Sequence, residues 1–194
     1  MSPDDILACR RELRNRALNA REALTVTARA ALTRRLEEHL HALLAQLEPQ
    51  VLGFCWPFRA EPDLRHFVAQ WLAGSASRQA VLPVVLGREE ALVFRPWRPG
   101  VELQPGRHGI PHPPAGPELQ ADVVLVPLNA FDAAGFRLGY GGGYFDRTLA
   151  VMPARAVGVG FELGRVDSVL PQAHDRAMEW IVTEAGLFRA AGGE

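Results

Sequence analysis

The residue types best able to do chemistry are gathered in one segment, Phe131 to Thr148, which reads FDAAGFRLGYGGGYFDRT. Gly139, Gly141, Gly142 and Gly143 lack the side chains that would keep a phosphate from backbone amides. A helix following such a loop presents its N-terminus to an anion. Arg137 precedes the first of these glycines by two residues, and Asp146 follows the last by three. Cation, amide cradle and carboxylate in so short a span suit a magnesium-bound nucleotide. Magnesium is commonly held by one or two carboxylates together with phosphate oxygens and water, and an arginine offsets charge developing during phosphoryl transfer. The segment is not a Walker loop, which needs Gly-Lys-Ser or Gly-Lys-Thr, nor a dinucleotide fingerprint, because position 144 is Tyr144. An equally weighted alternative is a glycine-rich turn in which Arg137 and Asp146 form a structural ion pair.

All 21 basic residues are arginine. Without lysine the chain has no P-loop lysine, no Schiff-base lysine and no lysine to anchor pyridoxal phosphate. Cationic chemistry falls to arginine or to a bound metal. Against 22 acidic residues the formal net charge is -1, which offers no net basic face for non-specific nucleic-acid binding. Cys9 and Cys55 form no CxxC pair and point to a reduced, cytoplasmic protein. The N-terminus, MSPDDILACRRELRNRAL, is charged throughout and does not read as a signal peptide. No apolar run approaches the roughly 18 residues that span a membrane. Gly109, Pro111 and Pro113 preclude the helix that would align His108 and His112 on zinc.

These residues need a scaffold, and hydrophobic periodicity supplies one. From Pro3 to Leu24, Ile6, Cys9, Leu13, Ala17 and Leu24 fall near helical spacing, with Arg10, Arg11, Arg14, Arg16 and Arg21 expected on the other faces. A second helix is expected from an N-cap at Thr25 or Thr27 to Leu47, with a stripe of Leu32, Leu36, Leu40, Leu43 and Leu47 and a stop at Pro49. The two would form an N-terminal α-hairpin. Strands are expected at Gln50–Cys55, Ala80–Leu86, Ala91–Trp97, Asp122–Pro127, Ala156–Phe161 and Trp180–Thr183. Pro83 would confine part of the second to an edge or a bulge. Helices are expected over Pro62–Ala73 and Tyr144–Val151, and an ordered loop over Arg98–Gln120. Continuously apolar strands alternating with helices predict one α/β domain over residues 1–194. Its form would be three-layer α/β/α with a mainly parallel sheet. The glycine-rich segment lies just past the Asp122–Pro127 strand, and open α/β sheets bind ligands beyond the carboxyl ends of their strands.

The run PLNAFDAAGFRLGYGGGYFDRTL resembles the signature of the 5-formyltetrahydrofolate cyclo-ligase family, also called 5,10-methenyltetrahydrofolate synthetase. That signature reads roughly P-x-x-A-F-D-x-x-G-x-R-L-G-x-G-G-G-Y-Y-D-R. VLPVV, LVFRPWRPG, LQPGRHGIPHP and GVGFE…LPQAHDRAMEWIVTE also resemble the family, in the family's order, so the similarity covers nearly the whole chain. The resemblance implies ATP-dependent cyclisation of 5-formyltetrahydrofolate to 5,10-methenyltetrahydrofolate, releasing ADP and phosphate. The route would pass through a phosphorylated formyl group, an imidate phosphate, with Mg2+ as cofactor and ATP as co-substrate. The partners implied are small molecules, with no nucleic acid and no membrane, and a monomer is expected.

By the same resemblance Arg137, Leu138, Gly139, Tyr140, Gly141, Gly142, Gly143, Tyr144 and Phe145 bind ATP, and Tyr140 to Tyr144 also line the folate. Arg137 and Asp146 would be catalytic, and Asp146 and Asp175 would hold the metal. Arg10 and Arg14 lie one helical turn apart on a shared face, where the family carries basic residues that contact ATP phosphates. Arginine can fork onto two phosphate oxygens; Arg11 is an alternative register for Arg10. Glu61 matches a glutamate that contacts the pterin, since a carboxylate can accept paired hydrogen bonds from an aminopyrimidine edge. The alternative puts Glu61 at the start of the helix opening with Pro62, where the helix dipole favours a negative charge. Trp56 matches a position facing the folate. Two residues depart from the pattern: Phe145 stands where tyrosine is more usual, and Asn129 where a small apolar residue is familiar. The direction in which Asn129 points is open. The alternative function is a catalytically silent nucleotide- or folate-binding module on the same fold.

Overall fold

The computed structural model describes residues 1–191. Numbered in chain order, its strands are β1 (Val51–Gly53), β2 (Gln79–Val84), β3 (Val93–Trp97), β4 (Gln104–Pro105), β5 (Pro111–His112), β6 (Val123–Pro127), β7 (Ala130–Phe131), β8 (Arg137–Leu138), β9 (Arg155–Val159), β10 (Trp180–Thr183) and β11 (Gly186–Arg189). Seven of them form one sheet in the order β11-β10-β9-β6-β1-β2-β3. The run from β10 to β2 is parallel throughout, and the two outermost strands are antiparallel. β4 pairs with β5 inside the predicted loop, and β7 pairs with β8.

The apolar run at residues 123–127 is the middle strand, and its two faces feed two cores. Val123 and Leu125 join Leu52 and Phe54 against α2 (Val26–Leu47) and α3 (Arg65–Ala73). Val124 and Val126 join Phe131, Met178 and Ile181 against Tyr144, Phe145 and Leu149 of α4 (Tyr144–Val151). Strand alternation sends neighbours to opposite faces, so an unbroken apolar strand implies two covers, and the three-layer α/β/α arrangement follows. On α2, Leu36, Leu40 and Leu43 are fully buried, each worth about 2 kcal/mol by area. Thr25 caps this helix, accepting a bond from the Ala28 amide at 3.1 Å. Asp122 ties β1 to β6 from the amino end: its Oδ2 accepts the amides of Gln50 and Val51, both at 2.8 Å. Pro83 lies beyond the reach of β1, which pairs only with Gln79, Ala80 and Val81, so its missing N–H breaks no ladder on that side.

α1 (Pro3–Glu22) starts in a capping box between Ser2 and Asp5. Its inward face departs from expectation. Arg10, Ala17, Leu18 and Arg21 are its buried residues, so two arginines assigned to outer faces point inward. Ala17 and Leu13 pack on Ala130, Leu138 and Val169, which seats α1 on the β7–β8 ribbon. α2 instead crosses β10 and β11. The two N-terminal helices therefore serve different parts of the molecule: α2 covers the sheet and α1 covers the site. Among the described residues no helix is long and apolar enough to cross a membrane.

Candidate active site

After β1 the chain turns towards β2, and after β6 it turns the other way, towards β9. The crevice between two such strands is where an open α/β sheet receives ligands. Two loops meet there: the turn from Phe58 to Glu61, and the segment from Leu128 to Gly143. Asp132 shapes the second. It is 3% exposed; its Oδ1 accepts the amides of Ala134 and Phe136, and its Oδ2 accepts that of Val169. Gly135 closes this turn at φ +88, where a Cβ would stand 2.6 Å from the Met178 carbonyl oxygen. The AFDxxG portion of the sequence thus builds the ribbon that presents Arg137. Asp at the head of a turn with Gly three residues on was the available signal.

Arg137 is buried, and its Nη1 donates to Asp146 Oδ1 at 3.1 Å and to the Arg176 carbonyl at 2.9 Å. Burial lowers its pKa, and the Asp146 charge partly offsets this. Asp146 Oδ1 also accepts the Arg176 amide at 3.0 Å. Among the described residues no bond falls on Asp146 Oδ2 or on Nε and Nη2 of Arg137. The ion pair of the second reading is present, and it leaves atoms of both side chains without a partner among the described residues. Asp146 stands in the first turn of α4, whose N-cap is Gly143 at φ +66. A Cβ at Gly142 would come within 2.7 Å of the Tyr144 ring, so glycine there is what lets that ring fold back over the loop. Arg147 lies over the same ring at 5.1 Å and donates to the Gly142 carbonyl. Leu138 is buried against α1, leaving only its backbone for a ligand, and the Phe145 ring packs into the core beneath α4.

From α1, Arg14 Nε donates to the Gly139 carbonyl at 2.6 Å. Its guanidinium faces the loop, 3.8 Å from where a Cβ of Gly141 would be. Burial, then the neighbouring Arg10 charge, lowers its pKa. Arg10, the partner residue one turn earlier, is engaged differently. Nη1 and Nη2 donate to the two oxygens of Asp175 at 2.7 and 3.2 Å, and Nη1 also reaches the Leu170 carbonyl at 2.8 Å. An expected phosphate contact and an expected metal ligand are here each other's partners. Arg11 is exposed, so Arg10 is the inward register.

Because α3 starts at Arg65, Glu61 stands ahead of the helix start, and it closes its own loop. Its Oε2 accepts the Phe58 amide at 3.0 Å, and its Oε1 accepts the Tyr140 hydroxyl at 2.7 Å. Arg21, 2% exposed, donates to that hydroxyl at 2.8 Å and stands 4.0 Å from Glu61 Oε1. Burial pushes the Glu61 carboxyl up, while Arg21, Tyr140 and the Phe58 amide oppose it. Burial and the adjacent Glu61 push the Tyr140 phenol up. Arg21 is a site residue that helical patterning assigned to an outer face; no local pattern distinguishes it from its exposed neighbours. Trp56 lines a separate groove of about 700 Å³ with Arg29, Arg34 and Trp97, and the Arg65 guanidinium lies 4.6 Å over its ring. Asn129 points into the protein: it is 5% exposed, and neither side-chain polar atom has a partner. Desolvation, then the Glu61 charge, raises the Cys55 thiol well above its ordinary value, which makes it a poor nucleophile.

The 5-formyltetrahydrofolate cyclo-ligase family model matches residues 7–184. A 5-formyltetrahydrofolate cyclo-ligase of Haemophilus influenzae is 25% identical over 175 residues, covering 85% of this chain and 91% of that protein. One of Mycolicibacterium smegmatis is 38% identical over 95 residues, 45% of this chain and 48% of the relative. Among solved structures, the NMR structure of Aquifex aeolicus 5,10-methenyltetrahydrofolate synthetase superposes with a TM-score of 0.80 at 28% identity, over 95% of this chain and 94% of that one. A family model spanning nearly every element, with the signature residues meeting in one crevice, fixes the assignment: the chain belongs to the 5-formyltetrahydrofolate cyclo-ligase family.

Proposed function

We propose that this chain cyclises 5-formyltetrahydrofolate to 5,10-methenyltetrahydrofolate at the expense of ATP. The carrying observation is that Arg14 and Arg137, both with N–H groups to spare, flank one glycine loop whose Tyr140 reaches Glu61. A formyl oxygen on nitrogen is a poor leaving group. Moving the γ-phosphoryl group of ATP onto it gives an imidate phosphate and ADP. Nitrogen 10 of the same folate then attacks the formyl carbon, phosphate departs with the former formyl oxygen, and the nitrogen loses its proton. The attacking atom is already tethered to its target, so the protein contributes orientation and charge, not a nucleophile. That accords with a chain whose only basic residues are arginines.

In this reading the loop amides at Gly139 to Gly143 and the guanidinium groups of Arg14 and Arg137 hold the phosphates. Glu61 takes the pterin edge. Asp146 suits magnesium, because one oxygen stays outside its bonds to Arg137 and Arg176; the bound ion would neutralise phosphate charge. For Asp175 to join it, Arg10 has to leave that carboxylate for a phosphate oxygen, an exchange in which both charges keep an opposite partner. A reduced cytoplasmic setting goes with the reading and is supported by the two unpaired cysteines. The substrates are small molecules handled by a monomer.

The test is direct. Purified protein with ATP, magnesium and 5-formyltetrahydrofolate should form methenyltetrahydrofolate, followed by its absorbance, and none should form without ATP. Binding of both ligands with no product at high enzyme concentration would favour the silent binding module instead.

A further inference from the structure

Tyr140 sits on the glycine loop, yet its hydroxyl belongs to the other half of the site. It donates to Glu61 Oε1 at 2.7 Å and accepts from Arg21 Nη2 at 2.8 Å. Arg21 is fixed, since Nε and Nη1 donate to the carbonyls of Arg59 and Leu128. Glu61 is fixed as well: its Oε2 holds the Phe58 amide inside a tight turn. Tyr140 is 41% exposed and lies between Gly139, where an added Cβ would meet nothing within 4 Å, and Gly141 at φ +89. The phenol is the movable member of the three.

We infer that Tyr140 is a positioning residue that latches the nucleotide loop to Glu61, so that a ligand at either place opens the contact for the other. The inference rests on the folate-ligase reading for the identity of the two ligands. Glu61 is 5% exposed, both its oxygens are engaged, and the Tyr140 hydroxyl occupies Oε1. A pterin edge bringing paired N–H donors to that carboxylate must take the place of the phenol. Once displaced, Tyr140 no longer ties the loop to the turn, and the loop amides can reorient to phosphate. Two ligands that both need the open latch share one opening cost, which couples them positively through the loop. The hydroxyl carries this role. The edge-on packing of the Tyr140 ring against Phe58, 5.4 Å between centroids, would survive loss of the oxygen.

The variant that tests it is Tyr140→Phe. In the wild type, saturating β,γ-imido-ATP with magnesium should tighten binding of 5-formyltetrahydrofolate about tenfold. In Tyr140→Phe the same ratio should fall to within about twofold, with folate binding without nucleotide tighter than in the wild type. An unchanged ratio overturns the latch. A second measurement needs no ligand: amide hydrogen exchange from Gly139 to Tyr144 should run about fivefold faster in Tyr140→Phe, for the loss of one tying hydrogen bond. Exchange equal to wild type overturns the latch by itself. Failure of either protein to bind nucleotide or folate would instead refute the proposed function and leave the exchange comparison decisive.

Discussion

Two arginine–carboxylate pairs flank the site, and they are built differently. Arg10 meets both oxygens of Asp175 and spends its remaining reach on the carbonyls of Val169 and Leu170. Those two side chains keep 10% and 5% of their exposure. Arg137 meets one oxygen of Asp146 through one nitrogen, and that carboxylate keeps 18%. A bidentate pair with both carboxylate oxygens and both terminal nitrogens engaged offers little to a ligand, and breaking it leaves a buried charge. A pair joined by a single bond holds its members in place while keeping donors and an acceptor in hand. Residue types are the same in both. What separates the two pairs is the number of unengaged atoms.

Asp146→Asn keeps an acceptor for Arg137 and the Arg176 amide but removes the charge. Turnover should fall roughly 10³-fold, about 4 kcal/mol in activation free energy, with little change in melting temperature. Turnover within tenfold of wild type would put both pairs in one structural class. Asp175→Ala should act on the fold, with about 3 kcal/mol lost in urea unfolding. A loss below 1 kcal/mol with turnover abolished would reverse the contrast and give Asp175 the ligand's part.

Acid sharpens the comparison. Burial works to raise the Asp175 carboxyl, but the bonds from Arg10 and the Gln172 amide outweigh it and hold the group below its ordinary value. For a depressed carboxyl, the added stability is complete above the unfolded value of 3.8 and lost as pH falls through the folded one. Unfolding free energies of wild type and Asp175→Asn should therefore converge as pH drops below 3.8; a constant gap would assign the effect to packing. The smallest change concerns Asn129, which is engaged with neither pair. Asn129→Val should raise unfolding free energy by about 1 kcal/mol, because it removes a buried carboxamide without partners. A destabilised variant would mean that the carboxamide is satisfied in solution.

The parts that sequence patterning captured are those where composition and environment agree. The DVVLVP strand and the helix Tyr144–Val151 stand where apolar spacing puts them. On α1 the same logic fails, because a helical wheel sends charge to solvent. Arg10 and Arg21 are buried by carbonyls and carboxylates that belong to residues far along the chain, and nothing local announces them. β11 escaped because a short, half-exposed edge strand carries little apolar signal, and β7 and β8 because two-residue strands carry none. On α2 the outer members of the expected stripe slip: Thr33 and Leu44 are buried, while Leu32 and Leu47 are only partly so. The glycine loop, Arg137 and Asp146 were legible as a cluster, but their pairing with Arg176 and Arg14 was not.

The turn before Glu61 has one more consequence. Arg59 and Ala60 hold φ of +46 and +61, a left-handed region that costs residues with a Cβ of order 1–3 kcal/mol each. The last turn of α1 restrains it: Arg21 donates to the Arg59 carbonyl, and Glu22 receives the Arg59 guanidinium at 2.7 and 3.0 Å. The turn is a compressed spring, and the helix seated on the β7–β8 ribbon is its clasp. On warming, fraying of that helix should let the spring relax and Glu61 swing out of line with Tyr140 before the sheet unfolds. The N-terminal helix would then be a fuse: turnover should be lost at a lower temperature than the fold, and a tag or truncation that loosens those 20 residues should silence a protein that still folds.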